Sequence, residues 1–359
     1  MIIGVDAGML GVTDRRLKVG VWRVAVNLLK ELGRLDRQNT YRLYGFAPIE
    51  PELLASFGPR MKNIVLHPTR GWFTLRLPLE LKLRSVDIFL GLSQALPPRW
   101  QKNIGFVYDL GFLHSPKAYL GSQKRLARQT QDLIKRADKI VTISQSSKED
   151  LVKQYRLNPE LISVAYPGVD SRFTAQGERF KSGNPYFLFV GALKPGKNLP
   201  TALRALAQLL KKGASYEFLV VGGDYWLDPE IKTVLKELNL IKQVHLLGYV
   251  PDSDLPKYYR GAMALIVPSL WEGFCLPVAE AMACGCPIIS ANTSVFPEIV
   301  GSGGLLVDPR DISALAQAME KLATTAKLRQ ELSSKALKSA KRFRWPPFAQ
   351  TVYELLNQV

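Results

Sequence analysis

Long apolar segments are missing from this sequence. Its runs of consecutive apolar residues are too short for the roughly twenty that a membrane-spanning helix needs. The first residues, MIIGVDAGML, lack the basic stretch that begins a secretory signal peptide and are typical of a first buried strand. We therefore expect a cytoplasmic protein without a transmembrane helix. With 359 residues that are 47% apolar, the chain can bury two cores of ordinary size.

Cysteine and histidine are scarce, with 3 residues of each. Cys275, Cys284 and Cys286 fall in one short segment without a CxxC pair or a nearby histidine, which argues against disulfides and structural zinc. Small buried thiols in a reducing compartment are expected instead. Asp252 and Asp254 match the Asp-x-Asp pattern of some metal sites, but they stand just before a predicted helix, where a capping role is favoured. The sequence predicts no metal and no other resident cofactor.

Acidic residues are too few to balance the basic ones, and the formal net charge is +17. Residues 1–175 carry 27 Lys and Arg against 15 Asp and Glu, a net charge of +12. Candidate basic surfaces are Arg15, Arg16, Lys18 and Arg23, and in a predicted helix Lys124, Arg125, Arg128, Lys135, Arg136 and Lys139. They could contact an anionic membrane leaflet, attract an anionic acceptor or simply be solvated. Without a recognition helix or an aromatic and basic RNA motif, no nucleic acid partner is expected.

Strand and helix patterns alternate along the chain. Strands are predicted at 2–5, 41–46, 63–66, 87–90, 103–107, 139–143, 186–190, 216–221, 244–246, 263–267, 287–290 and 304–307. Helices are predicted between them, including 21–33 and 121–137, and Ser146 with Glu149 predicts a capping box for a helix that ends near residue 155. The apolar period stops between residues 166 and 185, which indicates a linker.

Alternating strands and helices predict parallel sheets with right-handed crossovers. The fold class is therefore α/β, with two Rossmann-like domains that face each other across a cleft. The predicted domains are residues 1–170 and 183–342. Ligands bind at the carboxyl ends of such strands, so the loops after the strands are the candidate site.

Two carboxylates, Glu272 and Glu280, lie where the apolar strand 263–267 passes through a tight loop into a helix. Gly273 allows the bend, and Pro277 suits the first turn of the helix. The backbone N–H groups at the helix start belong to Phe274, Cys275 and Leu276. The helix dipole favours an anion such as a diphosphate there, and a carboxylate one turn further on can accept hydrogen bonds from two ribose hydroxyls.

This segment resembles the retaining, nucleotide-sugar-dependent glycosyltransferases of family 4, whose signature is a pair of glutamates separated by seven residues. The likeness continues downstream through EAMACGCPIISANTSVFPEIVGSGGLLVDPRD and upstream through GYVPDSDLPKYYRGA and FLFVGALKPGKNLPTAL. It covers nearly the whole chain and is strongest at residues 186–310. It implies the double-Rossmann architecture called GT-B, with the donor in the second domain. The terminal stretch, 343–359, resembles the last helix of the family, which packs back on the first domain.

The loop at residues 191–198 resembles the family loop whose basic residues neutralise the diphosphate. Lys197 matches the family lysine. Ala192 and Gly196 stand where the family often has basic residues, and Lys194 is a candidate replacement for them.

Further donor contacts follow from the same resemblance. Gly191 opens the basic loop, and the backbone of Tyr249 and Val250 matches the segment that borders the nucleobase. Gly222 and Gly223, after a buried strand, allow either a close approach of backbone to ligand or a plain turn.

The first domain departs from the family pattern more often. Gly20 begins a stretch that matches a glycine-rich loop, but Trp22 replaces its second glycine. Tyr108 with Asp109 replaces a histidine–aspartate pair whose histidine contacts the donor sugar, and a tyrosine can still form hydrogen bonds. Ser144 matches a family serine at the cleft edge, or it caps a helix.

The resemblance implies transfer of a sugar, with mannose a candidate, from a nucleoside diphosphate sugar to a hydroxyl acceptor in polysaccharide or glycolipid assembly. Glu272 and Lys197 would carry the chemistry. Glu280 would hold the ribose, and the 274–276 amides the diphosphate. The acceptor hydroxyl would belong to a glycan or to a lipid-linked molecule. The protein could contact the inner face of the plasma membrane.

Two alternatives stay open at this point. Trp22, Tyr108 and Ala192 could have turned the chain into a non-catalytic scaffold that still binds nucleotide sugars. A nucleotide-sugar epimerase on the same architecture would form product without an acceptor, and the glutamate loop argues against it.

Overall fold

The computed structural model describes residues 1–359 with the exception of 15–17, 19, 99, 101, 120, 214 and 224–227. Arg15 and Arg16 of the first candidate basic surface therefore lie outside the described residues. The chain divides into two compact units. Unit one comprises Met1–Leu113, Gly121–Gly168 and Arg344–Val359, and unit two comprises His114–Leu120 and Val169–Phe343.

Unit one contains a seven-stranded parallel sheet. Its strands are β1 Ile2–Asp6, β2 Thr40–Gly45, β3 Met61–Val65, β4 Ile88–Gly91, β5 Asn103–Phe106, β6 Lys139–Thr142 and β7 Ile162–Val164. They stand in the order β3-β2-β1-β4-β5-β6-β7, so β2 and β3 lie on one side of β1 and β4 to β7 lie on the other. Strand β7 was not predicted, because three residues are too few to show a period.

Unit two contains a six-stranded sheet in the order β10-β9-β8-β11-β12-β13. Its strands are β8 Tyr186–Val190, β9 Glu217–Val221, β10 Val244–Gly248, β11 Leu265–Val267, β12 Ile288–Ala291 and β13 Gly304–Val307. All the pairings are parallel, as the alternation of elements predicts. The chain again reverses its direction of travel across the sheet, here between β8 and β11.

The helices occupy the segments between the strands. They are α1 Gly20–Leu35, α2 Pro51–Ala55, α3 Leu77–Leu83, α4 Gly111–His114, α5 Gln123–Arg136, α6 Gln145–Tyr155, α7 Leu199–Leu210, α8 Pro229–Glu237, α9 Leu255–Gly261, α10 Leu276–Ala283, α11 Phe296–Val300, α12 Ile312–Thr324, α13 Ala326–Ala340 and α14 Trp345–Leu356. A π-helical turn, Trp72–Arg76, leads directly into α3. Short 3-10 turns include Pro116–Tyr119 and Pro195–Lys197.

The core of unit two lies between its sheet and helices α7 and α12. Side chains at alternate positions of the strands point to one face, as the two-residue period of a strand requires. They meet the apolar stripe of the two helices in one buried cluster. Its members include Phe187, Phe189, Leu203, Leu206, Phe218, Val220, Ile266, Ile289, Met319 and Leu322.

Helix α6 begins two residues earlier than the predicted capping box places it. Ser144 is the N-cap, and its Oγ accepts the backbone N–H of Ser147 at 3.0 Å. The predicted box of Ser146 and Glu149 is therefore wrong. Ser144 has the extended backbone that a cap requires, and its predicted alternative role as a helix cap is confirmed.

The predicted linker, 166–185, contains neither helix nor strand. Most of it packs on unit two: Arg260 donates hydrogen bonds to the carbonyls of Thr174 and Glu178, and Phe180 stacks on Tyr258. Helix α14 belongs to unit one, where Phe348 contacts Phe106, so the predicted return of the terminal helix is confirmed.

Candidate active site

The strand order of unit two places two loops side by side. The loop after β8 contains Lys197, and the loop after β11 contains Glu272. Strands β8 and β11 are neighbours, and the chain leaves them in opposite directions. Such a reversal point opens a crevice at the carboxyl ends of the strands, where ligands of parallel sheets bind.

Lys197 and Glu272 form an ion pair in this crevice. The Lys197 Nζ donates to Glu272 Oε1 at 2.6 Å, and each side chain is 15% exposed. Burial favours the neutral form of the Glu272 carboxyl, but the charges of Lys197 and Lys194 outweigh it and lower its pKa. The site therefore holds an ionised carboxylate and a fixed cation 75 positions apart in the chain.

Asn198 connects the loop that carries Lys197 to two other loops of unit two by hydrogen bonds. It adopts the left-handed conformation at φ 56°. Its Nδ2 donates to the carbonyl of Pro268 at 3.0 Å and to that of Pro309 at 2.7 Å. One side chain thus connects the loops after β8 and β11, which places Lys197 opposite Glu272. The sequence marks Asn198 only as the neighbour of the lysine.

Ser294 holds the backbone of Glu272 from the other side. The Glu272 N–H donates to Ser294 Oγ at 3.1 Å, and the same hydroxyl donates to the Glu272 carbonyl at 2.5 Å. Ser294 itself has a left-handed backbone, with φ 57°. Sequence reasoning missed this residue, because a lone serine after a strand gives no signal of a contact 22 positions away.

Helix α10 begins as predicted, with Pro277 in its first turn. The left-handed residue is Cys275, at φ 68° and ψ 73°, whereas Gly273 has no positive φ. The predicted bend at Gly273 is present, and the left-handed turn that directly precedes the helix falls on Cys275. A cysteine in this conformation is strained relative to glycine, because its Cβ approaches the backbone.

The amides at the start of α10 belong to residues that are themselves buried. Phe274 is 2% exposed and packs edge-to-face on Phe343, with ring centroids 5.2 Å apart. Cys275 and Leu276 are each 8% exposed. Their predicted role toward a diphosphate stays a prediction.

Glu280 lies on α10 and is 3% exposed. The hydroxyl of Tyr259, from helix α9, donates to Glu280 Oε2 at 3.0 Å. Tyr259 is fully buried and was not predicted, since the sequence places a tyrosine there without indicating its partner. The two glutamates thus have different surroundings: Glu272 is paired with a cation, and Glu280 accepts a hydrogen bond from a phenol.

Three glycines line the ends of neighbouring strands. Gly191, Gly222 and Gly248 stand at the ends of β8, β9 and β10. The Gly222 N–H donates to the Gly248 carbonyl at 2.8 Å, and a Cβ on Gly222 would lie 1.8 Å from the Gly191 carbonyl oxygen. Gly222 therefore serves a close approach between two parts of the chain itself.

Tyr249 and Val250 follow this row directly. The Tyr249 side chain is 51% exposed, and Gly248 before it has φ 66°. Their backbone contact with a nucleobase stays a prediction.

A short segment from the first half of the sequence belongs to unit two, although the predicted domain boundary assigns it to unit one. The ring of His114 stacks on Trp271, with centroids 3.5 Å apart and planes 10° apart. Lys194 Nζ lies 5.3 Å from the centroid of the Tyr119 ring, and a Cβ on Gly196 would lie 3.0 Å from the Cβ of Ala118. Residues 114–119 therefore contact both loops of the crevice. Position 196, where the family often has a basic residue, is a glycine at a point of close packing.

The predicted residues of unit one are placed as follows. Gly20 begins α1 and is exposed. The Tyr108 hydroxyl donates to the Leu92 carbonyl at 2.8 Å and is buried, so this group is used within the chain rather than offered to a ligand. Asp109 Oδ1 accepts the N–H of Gly111 at 2.7 Å. The expectation that the Tyr108 hydroxyl replaces the donor-binding histidine is not supported by this geometry.

Trp22 adjoins a cation of its own chain. The Lys18 Nζ lies 5.2 Å from the centroid of the indole, and Lys18 also bridges to Glu50 at 3.2 Å. The basic character that the sequence indicates at this end of α1 is therefore partly used internally.

Unit one has a reversal point of its own, and a buried carboxyl lies there. Asp6 ends β1 and accepts hydrogen bonds from Ser93, which follows β4, and from the N–H of Gly8. Burial raises the pKa of Asp6, and these hydrogen bonds oppose it. Sequence reasoning did not single out Asp6, because one acidic residue at a strand end carries no motif.

Asp254 occupies the N-cap position of α9 without a capping hydrogen bond from its side chain. Its carboxylate instead accepts from Lys257 Nζ at 3.1 Å. The predicted N-cap position of Asp254 is confirmed, and the predicted capping hydrogen bond from its side chain is wrong. Within the described ranges, no three His, Cys, Asp or Glu side chains come together as a metal site, and metal independence stays a prediction.

The cysteines are all buried and unpaired with one another, which confirms the expectation of small buried thiols. Burial raises the pKa of the Cys275 and Cys284 thiols to about 12 each, and it also raises that of Cys286. A thiol reacts through its thiolate, so these groups should be inert.

We therefore expect the folded protein to resist a chromogenic disulfide reagent at about pH 8, where an exposed thiol reacts readily. The same protein unfolded in guanidinium should release the colour of its 3 thiols. Rapid reaction of a thiol in the folded protein would contradict the burial described here.

None of the helices among the described residues combines the length and the apolar character needed to cross a bilayer.

Comparison with known proteins decides the family. The family model described as glycosyl transferases group 1 matches residues 170–339, and the model described as glycosyltransferase family 4 matches residues 19–173. Together they span both units. The chain belongs to glycosyltransferase family 4. It is an enzyme of the transferase class, and the resemblance seen in the glutamate loop is confirmed.

A curated relative of this glycosyltransferase is the O-antigen chain mannosyltransferase B of Escherichia coli. The two are 26% identical over 318 residues, which cover 86% of this chain and 80% of the relative. The match to a transferase over most of both chains does not support the alternative of a degenerate scaffold.

Solved structures share the architecture. Sucrose-phosphate synthase from Thermosynechococcus elongatus matches with a TM-score of 0.80 at 19% identity, covering 99% of this chain and 98% of that one. HepE from Anabaena, solved with UDP and glucose, matches with a TM-score of 0.75 at 18% identity, covering 100% and 99% of the two chains. At these identities the likeness concerns the fold. The predicted GT-B class is confirmed.

Proposed function

We propose that this glycosyltransferase moves a sugar from a nucleoside diphosphate sugar to a hydroxyl acceptor with retention of the anomeric configuration. The observation that carries the proposal is the partly buried Lys197–Glu272 ion pair at the reversal point of the second sheet. It combines a cation for a leaving diphosphate with a carboxylate for sugar hydroxyls in one crevice. Helix α10, whose N-terminus follows directly, supplies amides and a favourable dipole for the same diphosphate.

Each group has a separate task in the proposed complex. Glu280 accepts hydrogen bonds from the ribose, and Glu272 accepts them from the sugar. Lys197 and the 274–276 amides hold the diphosphate. As the bond between the anomeric carbon and the phosphate oxygen breaks, negative charge grows on the diphosphate, and these fixed positive groups stabilise it without reorganising.

The proposed chemistry requires no base from the protein. The departing phosphate oxygen takes the proton of the acceptor hydroxyl while the acceptor oxygen bonds to the anomeric carbon on the same face. Positioning and electrostatic stabilisation are then the contributions of the chain. No resident metal is part of the proposal.

The similarity to an O-antigen chain mannosyltransferase supports mannose as the sugar and a glycan or lipid-linked hydroxyl as the acceptor. The net charge of +17 supports work at the anionic inner face of the plasma membrane. UDP and glucose in the related HepE structure make UDP a donor nucleotide to test beside GDP.

Calorimetry with UDP, GDP, ADP and TDP tests the donor part of the proposal. We expect one nucleotide to bind and Glu280→Ala to weaken it about 10²-fold, because charge-assisted hydrogen bonds to the ribose are lost. Glu280→Gln keeps the shape of the buried side chain and should weaken binding less. Glu237→Ala, an exposed carboxylate of unit two, is the matched control and should bind like the wild type.

Transfer from the sugar of that nucleotide tests the reaction itself. Nuclear magnetic resonance of the product should show the anomeric configuration of the donor. If the protein bound a nucleotide but transferred sugar to no acceptor, the result would support the non-catalytic scaffold. If product formed without an acceptor, the result would favour an epimerase.

A further inference from the structure

Three leucines on one helical stripe of unit one point into solvent. They follow each other at intervals of four residues along the π-turn and α3, where Leu75, Leu79 and Leu83 are 73%, 52% and 71% exposed. Residues four apart lie on the same side of a helix. These are the highest exposures of any large apolar side chain that the structure describes in unit one.

A further exposed aromatic ring packs on the first residue of the π-turn. Phe46 is 40% exposed, and its ring packs edge-to-face on Trp72, the first residue of the π-turn, with centroids 6.2 Å apart. The other face of the helix is buried through Leu77 and Leu81. The helix is therefore anchored in the core on one side and apolar on the opposite side as well, which is unusual for a solvated surface helix.

Basic residues outnumber acidic ones in the chain segment that contains the stripe. Residues 60–84 contain 6 Lys and Arg but only one acidic residue, Glu80. Glu80 is 6% exposed and pairs with Arg76 at 3.2 Å and with Arg84 at 3.6 Å, so it presents little negative charge to solvent. Arg84 is itself 70% exposed, and Arg70 and Lys82 are exposed too.

This combination selects one kind of partner. A second copy would bring the same cations against the stripe, and like charges repel. Nucleic acid would satisfy the cations but leave the leucines in contact with phosphate and water. An anionic bilayer accepts both, because its headgroups attract Lys and Arg while its acyl boundary takes up apolar side chains.

We propose that the stripe Leu75, Leu79 and Leu83 is the membrane-docking surface of this protein and that it inserts into the interface of an anionic leaflet. The inference rests on the membrane contact in the proposed function and gives it a location. Helix α5, which the sequence analysis singled out, also carries exposed cations, but its residues are not among the exposed large apolar side chains. Charge alone binds weakly at physiological salt, so α3 supplies what α5 lacks.

Co-sedimentation with vesicles of phosphatidylcholine and phosphatidylglycerol tests the inference. The full chain is compared with the variant Leu75→Ser/Leu79→Ser/Leu83→Ser, and the matched control is Ile241→Ser, which changes an apolar residue of unit two that is 68% exposed. We expect the triple variant to lose at least about 10²-fold in partitioning, since burying each leucine favours binding by about tenfold. The control should partition like the wild type.

A charge variant separates the two contributions. Arg70→Gln/Lys82→Gln should lower partitioning to the anionic vesicles by about fivefold for each charge and should weaken its dependence on salt. Binding to pure phosphatidylcholine vesicles should remain low for every variant.

Four outcomes would overturn the inference. The triple variant could partition like the wild type, or Lys124→Gln/Arg128→Gln in α5 alone could abolish binding. Loss of a dimer in sedimentation, rather than of vesicle binding, would assign the stripe to a second copy. A wild type that binds no vesicle would remove the membrane contact altogether. Nucleotide calorimetry on the triple variant should be unchanged in each case, so failure here is distinct from failure of the transferase proposal.

Discussion

Lys197→Met is expected to lower the rate of sugar transfer about 10²- to 10³-fold, because one preorganised contact to the leaving diphosphate is lost. The same change leaves the Glu272 carboxylate without its cation at 15% exposure. Removing one partner of a buried ion pair typically lowers the free energy of unfolding by about 3–5 kcal/mol. Steady-state kinetics and denaturant unfolding measure the two effects separately.

The pH dependence of this variant has a defined sign. In the wild type the pKa of Glu272 lies below its ordinary value of 4.5, so the ion pair stabilises the fold above that pH and is lost as the pH falls through the lowered pKa. Without Lys197, the charge of Lys194 still opposes the effect of burial, but the pKa of Glu272 should be higher than in the wild type, and protonation relieves the carboxylate that has lost its ion-pair partner. The stability deficit of Lys197→Met should therefore shrink as the pH falls from neutrality toward that value.

The double variant Lys197→Met/Glu272→Gln distinguishes structure from chemistry. It removes both charges and should recover much of the stability that the single change loses, because no buried charge is left unpaired. Its transfer rate should stay low. Recovery of activity together with stability would mean that the ion pair only maintains the fold, and the proposed roles of both residues would be wrong.

Gly222→Ala is expected to lower the free energy of unfolding by about 3 kcal/mol, because the new methyl group would lie 1.8 Å from the carbonyl oxygen of Gly191. The backbone on both sides must move to make room. Since Gly191 begins the loop that carries Lys197, we expect donor binding to weaken with stability. Thermal unfolding and nucleotide calorimetry measure the two effects.

Gly248→Ala is the control for the steric part of that prediction, because Gly222 also has a positive φ, 155°. Gly248 ends the neighbouring strand and has φ 66°, but a Cβ there has no atom within 4 Å. Only the cost of a left-handed alanine, about 1 kcal/mol, is expected. Equal effects of the two substitutions would show that backbone conformation, and not the contact with Gly191, is the reason for glycine at position 222.

The alternating apolar segments were enough to predict both sheets except strand β7, and the helices that the sequence analysis named, such as α1 and α5, are present. The errors occurred where a local pattern had several possible partners. Ser144 rather than Ser146 caps α6, and the Asp254 side chain bonds Lys257 instead of a helix amide. Two serines offer the same capping bond to α6, and a carboxylate can accept either a helix amide or a lysine, so the choice depends on the tertiary structure around each helix start.

The glutamate loop was predictable in its positions but not in its conformation. Glu272 lies in a loop and Glu280 on a helix, as their spacing indicates. The left-handed turn falls on Cys275, although glycine is the residue that tolerates it best. Local preference was overridden there by the surrounding packing, which buries the cysteine side chain.

Periodicity and a spaced motif are properties of nearby positions, so the amino-acid sequence was enough for the parallel α/β class and the family resemblance, and it singled out Lys197 and Glu272. Only the tertiary structure decided the partners of those residues. Three contacts join positions that are distant in the sequence. They are the hydrogen bonds between Ser294 and Glu272, the hydrogen bond from Tyr259 to Glu280, and the stacking of His114 on Trp271. The exposed leucine stripe could not be predicted either. A helix that is apolar on two sides has the sequence pattern of a buried helix, and only the packing shows which side is covered.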